Sequence, residues 1–174
     1  MSILQRIRAE QVLKEEGLNL PIKIFHQSDA HTIIGDKQFK LIFPKFMLTY
    51  ECEKNIDQLF IGLVTTKRKK FLNNFKDAIV INSMRGRLDE IKQKDEEYFR
   101  TMAKARFVLC PNGDFVWTYR FFEAIIFKAI PIIEDYCELY SGYNYYMKDD
   151  SFEYKNEWVE ANLIKIKNEM FWNY

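Results

Sequence analysis

Cysteine is scarce in this chain: Cys52, Cys110 and Cys137 are the whole set, and no two of them form a CxxC pair. An odd, widely spaced trio leaves no dithiol motif and fits a reducing compartment. Cys110 falls in a strand-like apolar run, where a free thiol ordinarily serves as a small core side chain. An excess of one charge sign is also lacking. The net charge is +1, so no global basic field draws nucleic acid or an anionic membrane, and no nucleic-acid partner is expected. No apolar run is long enough to span a bilayer and no secretory signal opens the chain, so the sequence predicts a soluble, cytoplasmic protein with no transmembrane segment. Histidine is limited to His26 and His31, which flank Asp29 in an irregular stretch. Such a trio is usually unrelated to metal binding, and no metal or other cofactor is expected. Repeats and low-complexity segments are absent.

What the chain does have is apolar and aromatic bulk. Apolar residues make up 48% and aromatic residues 16% of the 174 positions, which excludes a disordered protein. The length suffices for one domain with a proper core and falls short of two substantial ones. Residues 3–16 read as a helix, with Ile3, Leu4, Ile7, Val12 and Leu13 on one side and Gly17 as the stop. Residues 21–25 suit a short strand, and 26–55 show no regular pattern. From residue 57 the rhythm steadies. Apolar runs of strand length at 59–64, 78–81, 106–110 and 130–133 alternate with helical stretches after Thr66, over 96–104 and after Thr118. A final helix is predicted over 156–173. Strands that are continuously apolar, separated by helices, predict an α/β fold: a Rossmann-like parallel sheet covered by helices on both faces. The organisation expected is an N-terminal helix and irregular segment over 1–55, a remnant of another lobe or a crossing between lobes, and a Rossmann-like domain over 56–174.

In an open parallel sheet, ligands bind beyond the carboxyl ends of the strands. After the first strand come Thr65, Thr66, Lys67 and Arg68; after the second, Ser83, Arg85, Gly86 and Arg87; after the third, Asn112, Gly113, Thr118 and Arg120. The fourth loop offers Glu134 and Asp135 instead. Cations, hydroxyls and helix-start amides on one edge suit a ligand with a phosphate or diphosphate at one end and hydroxyls at the other. Plainer readings stand beside this one. Residues 67–70 (KRKK) could be a solvated helix start, and Arg85 with Arg87 a surface loop. Arg120 and Glu123, the charged pair in an otherwise oily helix, could simply pair with each other. Trp117 and the aromatics of 143–146 could stack on a base or sugar, although core packing is the default.

The run over 98–133 resembles the exostosin-type glycosyltransferases. The matching residues are Ala105-Arg106-Phe107-Val108-Leu109-Cys110-Pro111-Asn112-Gly113, then Trp117-Thr118-Tyr119-Arg120, Glu123-Ala124 and Ala129-Ile130-Pro131-Ile132-Ile133. The resemblance implies the nucleotide-sugar-binding lobe of a GT-B fold. It implies that Thr118, Arg120 and the amides around Gly113 hold a diphosphate, that Arg68 approaches it from the first loop, and that Glu123 meets donor hydroxyls, most simply those of the ribose. The implied reaction transfers the sugar to a glycan or lipid-linked acceptor, without metal. Lys128 departs from the family's usual glycine, so the turn into the last strand is expected to differ. The chain is also about half the length of a two-lobed enzyme, so a partner acceptor lobe or a homodimer is expected. No catalytic residue is assigned; Asp29 and His26 are the only candidates for a base. The alternatives are a module that binds nucleotide sugar without catalysis and a protein-interaction domain that keeps only the scaffold.

Overall fold

The computed structural model describes residues 3–25, 29–82 and 96–173. Its centre is a five-stranded, all-parallel sheet of order β5-β4-β6-β7-β8. The strands are β4 (Ile56–Gly62), β5 (Ile79–Asn82), β6 (Ala105–Cys110), β7 (Ile130–Ile133) and β8 (Tyr146–Met147). Helix α2 (Thr66–Leu72) follows β4, α3 (Glu96–Ala103) precedes β6, α4 (Tyr119–Ile126) links β6 to β7, and α5 (Asn156–Met170) closes the chain. The fold is therefore α/β, a Rossmann-like parallel sheet flanked by helices.

Continuous hydrophobicity in the strands has a direct structural counterpart. On β6, Val108 and Cys110 enter one core with Tyr98 and Phe99 of α3 and Phe121 and Phe122 of α4. Phe107 and Leu109, pointing the other way, enter a second core with Phe71 and Leu72 of α2 and Val159 of α5. β4 and β7 divide in the same fashion, as the two-residue period of a strand requires. The edge strand β5 departs from the expected pattern: Ile79, Val80 and Ile81 are exposed, so that edge is not covered on both faces.

The N-terminal third is more ordered than its sequence suggests. Helix α1 (Ile3–Glu16) leads into a three-stranded antiparallel meander of β1 (Ile22–Ile24), β2 (Thr32–Ile34) and β3 (Lys37–Phe39). A 3-10 helix over Lys45–Thr49 follows. Leu41, Phe43 and Met47 join the same core as α3 and α4, and Phe43 N–H donates to the Met170 carbonyl at 2.8 Å. The inward face of α1 also differs from the apolar side expected. Gln5, Arg8, Ala9 and Val12 are buried while Ile3 is exposed, because Arg8 is drawn inward by a carboxylate described below. Among the described residues no helix is long and apolar enough to cross a membrane.

Lys128 does not re-route the turn into β7. It adopts a left-handed φ of 62°, the conformation for which glycine is suited. Lys128 N–H donates to the Ile125 carbonyl (3.0 Å) and Ala129 N–H to the Ala124 carbonyl (2.8 Å), the pair of bonds of a Schellman cap. Its ammonium meets Glu51 at 3.1 Å on the surface, a pairing of little energetic value. Lys128→Gly should therefore stabilise the fold by up to about 1 kcal/mol, less the entropy glycine adds to the unfolded chain. The expected readout is a melting temperature higher by roughly 1–4 °C. A lower melting temperature would show that the lysine side chain contributes more than its backbone costs.

Candidate functional site

The strand order reverses between β4 and β6, and the loops leaving these two strands diverge there. This is the position at which open α/β sheets bind ligands. Two arginines cross the gap in opposite directions.

Arg120 starts from the β6 side. Thr118 caps α4, its Oγ1 accepting the Arg120 N–H at 2.9 Å, which places Arg120 in the first turn. The side chain then runs back to β4: Nε donates to the Ile61 carbonyl at 3.1 Å and the guanidinium lies 4.6 Å over the Phe60 ring. Gly62 makes this possible, since a Cβ there would overlap Arg120 Nη2, and its φ of 153° suits glycine. Arg120 is only 8% exposed, and its Nη1 has no hydrogen-bond partner.

Arg68 crosses from the β4 side. Thr65 caps α2, accepting the Arg68 N–H at 3.2 Å. Arg68 Nη1 donates to the Leu63 carbonyl at 2.8 Å and Nε to the Asn112 carbonyl at 3.4 Å. A Cβ on Gly113 would stand 2.9 Å from Arg68 Nη2, so here too a glycine leaves room for a guanidinium. Burial, and then the neighbouring Arg120, hold the Arg68 guanidinium below its ordinary pKa, while Asp114 pulls the other way. Lys67, Lys69 and Lys70 are exposed, so Arg68 alone of the KRKK run turns inward.

Backbone amides contribute less than the glycine-containing loop suggests. Asn112 N–H donates to Glu134 (2.9 Å), Gly113 N–H to the Phe115 carbonyl (3.0 Å), and Thr118 N–H to the Tyr140 hydroxyl (2.9 Å). Asn112 also donates through Nδ2 to Asp135 at 2.7 Å. The two carboxylates after β7 thus brace the β6 loop. Beneath the loop, burial pushes the Cys110 thiol up to about 12, so it remains a neutral core group at neutral pH.

Arg68, Gly113, Thr118 and Arg120 line one pocket of about 190 Å³, together with Asp114, Phe115, Trp117 and Tyr119. Of the residues singled out in the sequence, the fold brings these four and Trp117 together. Glu123 lies apart from the lining and is fully buried. It does not pair with Arg120; Tyr98 donates to its Oε1 at 2.9 Å, and Arg8 Nη2 of α1 lies 3.9 Å from its Oε2. Arg8 in turn donates to Gln11 (3.0 Å) and sits 5.4 Å over the Phe99 ring. Sequence reading missed Arg8 and Tyr98. The signal for Arg8 was its spacing, three residues after Gln5 and four before Val12.

Asp29 lines a different groove of about 520 Å³, shared with Lys40, Trp117 and Glu138. His31 stacks on Phe25 at 4.3 Å. His26, Ser83, Arg85, Gly86 and Arg87 lie outside the described residues. Among the described residues no cluster of three His, Cys, Asp or Glu side chains could hold a metal ion. Tyr143 and Tyr146 are buried in the core.

The family model described as the Exostosin GT47 domain matches residues 10–156, most of the chain. The chain belongs to the exostosin GT47 family. The match takes in α1 from residue 10, the meander, the paired arginines and β7, so the exostosin domain includes much of the N-terminal third. No curated protein matches the chain. Membership of this family indicates glycosyltransferase activity.

The crossing of Arg120 over Gly62 makes a specific energetic prediction. Gly62→Ala should destabilise the fold by about 1–3 kcal/mol, because the new methyl and the guanidinium claim one space. In an Arg120→Ala background the same substitution should cost at least about 1 kcal/mol less. Additive effects in a chemical-denaturation double-mutant cycle would mean that strain at Gly62, not the arginine, sets the cost.

Proposed function

We propose that this exostosin-family chain is the donor-binding lobe of a GT-B glycosyltransferase. Its pocket between Arg68 and Arg120 would hold the diphosphate of a nucleoside-diphosphate sugar. The observation that carries this reading is Arg120, which lines the pocket, is more than nine-tenths buried and has an Nη1 without a hydrogen-bond partner. A buried cation with an unused donor is costly unless an anion completes it. Two guanidiniums beside one small pocket suit two linked phosphates better than a single carboxylate.

In this reading the acceptor oxygen forms a bond to the anomeric carbon. The bond from that carbon to the phosphate oxygen breaks, and its electron pair leaves with the diphosphate. The acceptor hydroxyl proton passes to a base supplied by the chain or its partner lobe. Arg68 and Arg120 are already fixed on backbone carbonyls, so they meet the developing charge with little rearrangement. Thr118 keeps the first turn of α4 in register, and Gly113 keeps the Arg68 path open. Glu123, fully buried against Tyr98 and Arg8 and apart from the pocket lining, would meet a ribose hydroxyl only if the donor reached past that lining. The acceptor, a glycan or a lipid-linked saccharide, would be presented by a partner acceptor lobe or a second copy.

Thermal-shift measurements against UDP, GDP and their sugars test the reading directly. A ligand at 100 times its Kd should stabilise the fold by about 2.7 kcal/mol. For a chain of this length that is a rise of roughly 5–10 °C. Arg120→Ala, verified as folded by circular dichroism, should abolish the shift, and Arg120→Lys should restore little of it. No shift with any nucleoside diphosphate or its sugar would defeat the reading.

A further inference from the structure

The pocket contains one group that opposes its proposed ligand. Asp114, on the loop between β6 and α4, lines the same wall as Arg68, Thr118 and Arg120. It is exposed, and among the described residues its carboxylate accepts no hydrogen bond and makes no ion pair. Its placement is therefore not explained by a structural contact, unlike the nearby Glu134 and Asp135, which brace the loop through Asn112. Its charge acts across space on Arg68.

A carboxylate beside an anion site weakens every anionic ligand, and the penalty grows with the ligand's charge. The two nucleotide species of the proposed reaction differ in charge. In the donor, each phosphate of the diphosphate bears one negative charge. After the sugar departs, the terminal phosphate is free to lose a second proton near pH 6, so the released nucleoside diphosphate carries about one charge more at neutral pH. Repulsion from one fixed carboxylate therefore falls more heavily on the product than on the donor.

We propose that Asp114 sets the pocket's preference for the sugar-bearing donor over the released nucleoside diphosphate, and so promotes product release. This rests on the reading of the pocket as a diphosphate site. The two arginines supply the attraction common to both nucleotides. Asp114 supplies the difference between them.

Isothermal titration of wild type and Asp114→Asn with UDP-glucose against UDP, and GDP-mannose against GDP, tests the proposal. The substitution keeps size and shape and removes only the charge. Both ligands of a pair should bind Asp114→Asn more tightly, with the nucleoside diphosphate gaining the larger factor. The ratio of the two affinities should shift by about two- to threefold toward the nucleoside diphosphate at low salt. That shift should fade at about 0.5 M salt, where exposed charges are screened. Asp114→Ala should show the same change in ratio, which separates charge from any contact peculiar to asparagine. Binding by wild type with an unchanged ratio in both variants would overturn the role of Asp114 alone. Failure of wild type to bind any of the four nucleotides would overturn the diphosphate reading, and this proposal with it.

Discussion

Two positive charges cross the switch point of the sheet in opposite directions, and the surrounding structure is arranged to permit it. Arg120 leaves the β6 side and ends on the Ile61 carbonyl of β4; Arg68 leaves the β4 side and ends on the Asn112 carbonyl beyond β6. Each crossing passes a glycine, Gly62 for one and Gly113 for the other. Each begins in the first turn of a helix capped by threonine. The neighbouring charges repel, and backbone carbonyls, the face of Phe60 and the Asp114 carboxylate act against that repulsion. Two guanidiniums on one pocket, one buried and one half-buried, give the proposed diphosphate reading a physical basis beside the family one.

A second buried charge organises the opposite side of α4. Glu123 is fully buried, and among the described residues it meets two other helices, through Tyr98 of α3 and Arg8 of α1. Removing one partner of a buried ion pair typically costs about 3–5 kcal/mol, whereas replacing both by apolar groups can be neutral. The cluster is therefore better understood as fixing where α1 docks than as a source of net stability. It also explains why α1 turns Gln5 and Arg8 inward while Ile3 remains exposed. α4 thus carries Arg120 toward the pocket it shares with Arg68 and Glu123 toward the N-terminal helix, within a single turn.

The parallel sheet was legible because both faces of its central strands are covered, which leaves unbroken apolar runs such as 59–61, 107–110 and 130–133. β6 and β7 show this most clearly, and Arg68 could be singled out because it follows such a run. The meander could not be read in the same way. Its strands are three residues long, too short for a two-residue period to stand out, and β8 has only two residues. The pairing of Glu123 was hidden for a different reason. Its partner Arg8 is 115 positions away, and local spacing offered Arg120 instead. The amides around Gly113 attracted attention by sequence position, but their bonds to Glu134, Phe115 and Tyr140 depend on chain returns that no local pattern encodes.

Several loop amides are already bonded, so in the proposed site an anion would meet guanidiniums more than N–H groups. A phosphate loop built from N–H groups reads shape, because amide dipoles are short-ranged and fixed by the backbone. A site built from guanidiniums adds net charge, so its affinity responds to salt and to neighbouring carboxylates. It also makes arginine specifically necessary. Arg120 anchors on Ile61 through Nε and still keeps an unpartnered Nη1, a spare donor that a lysine with one terminal nitrogen would lack. The anchoring bond keeps the side chain in place, and in the proposed reading the unpartnered Nη1 is the donor left for the ligand. Loss of either would be expected to impair the site even if the charge remained.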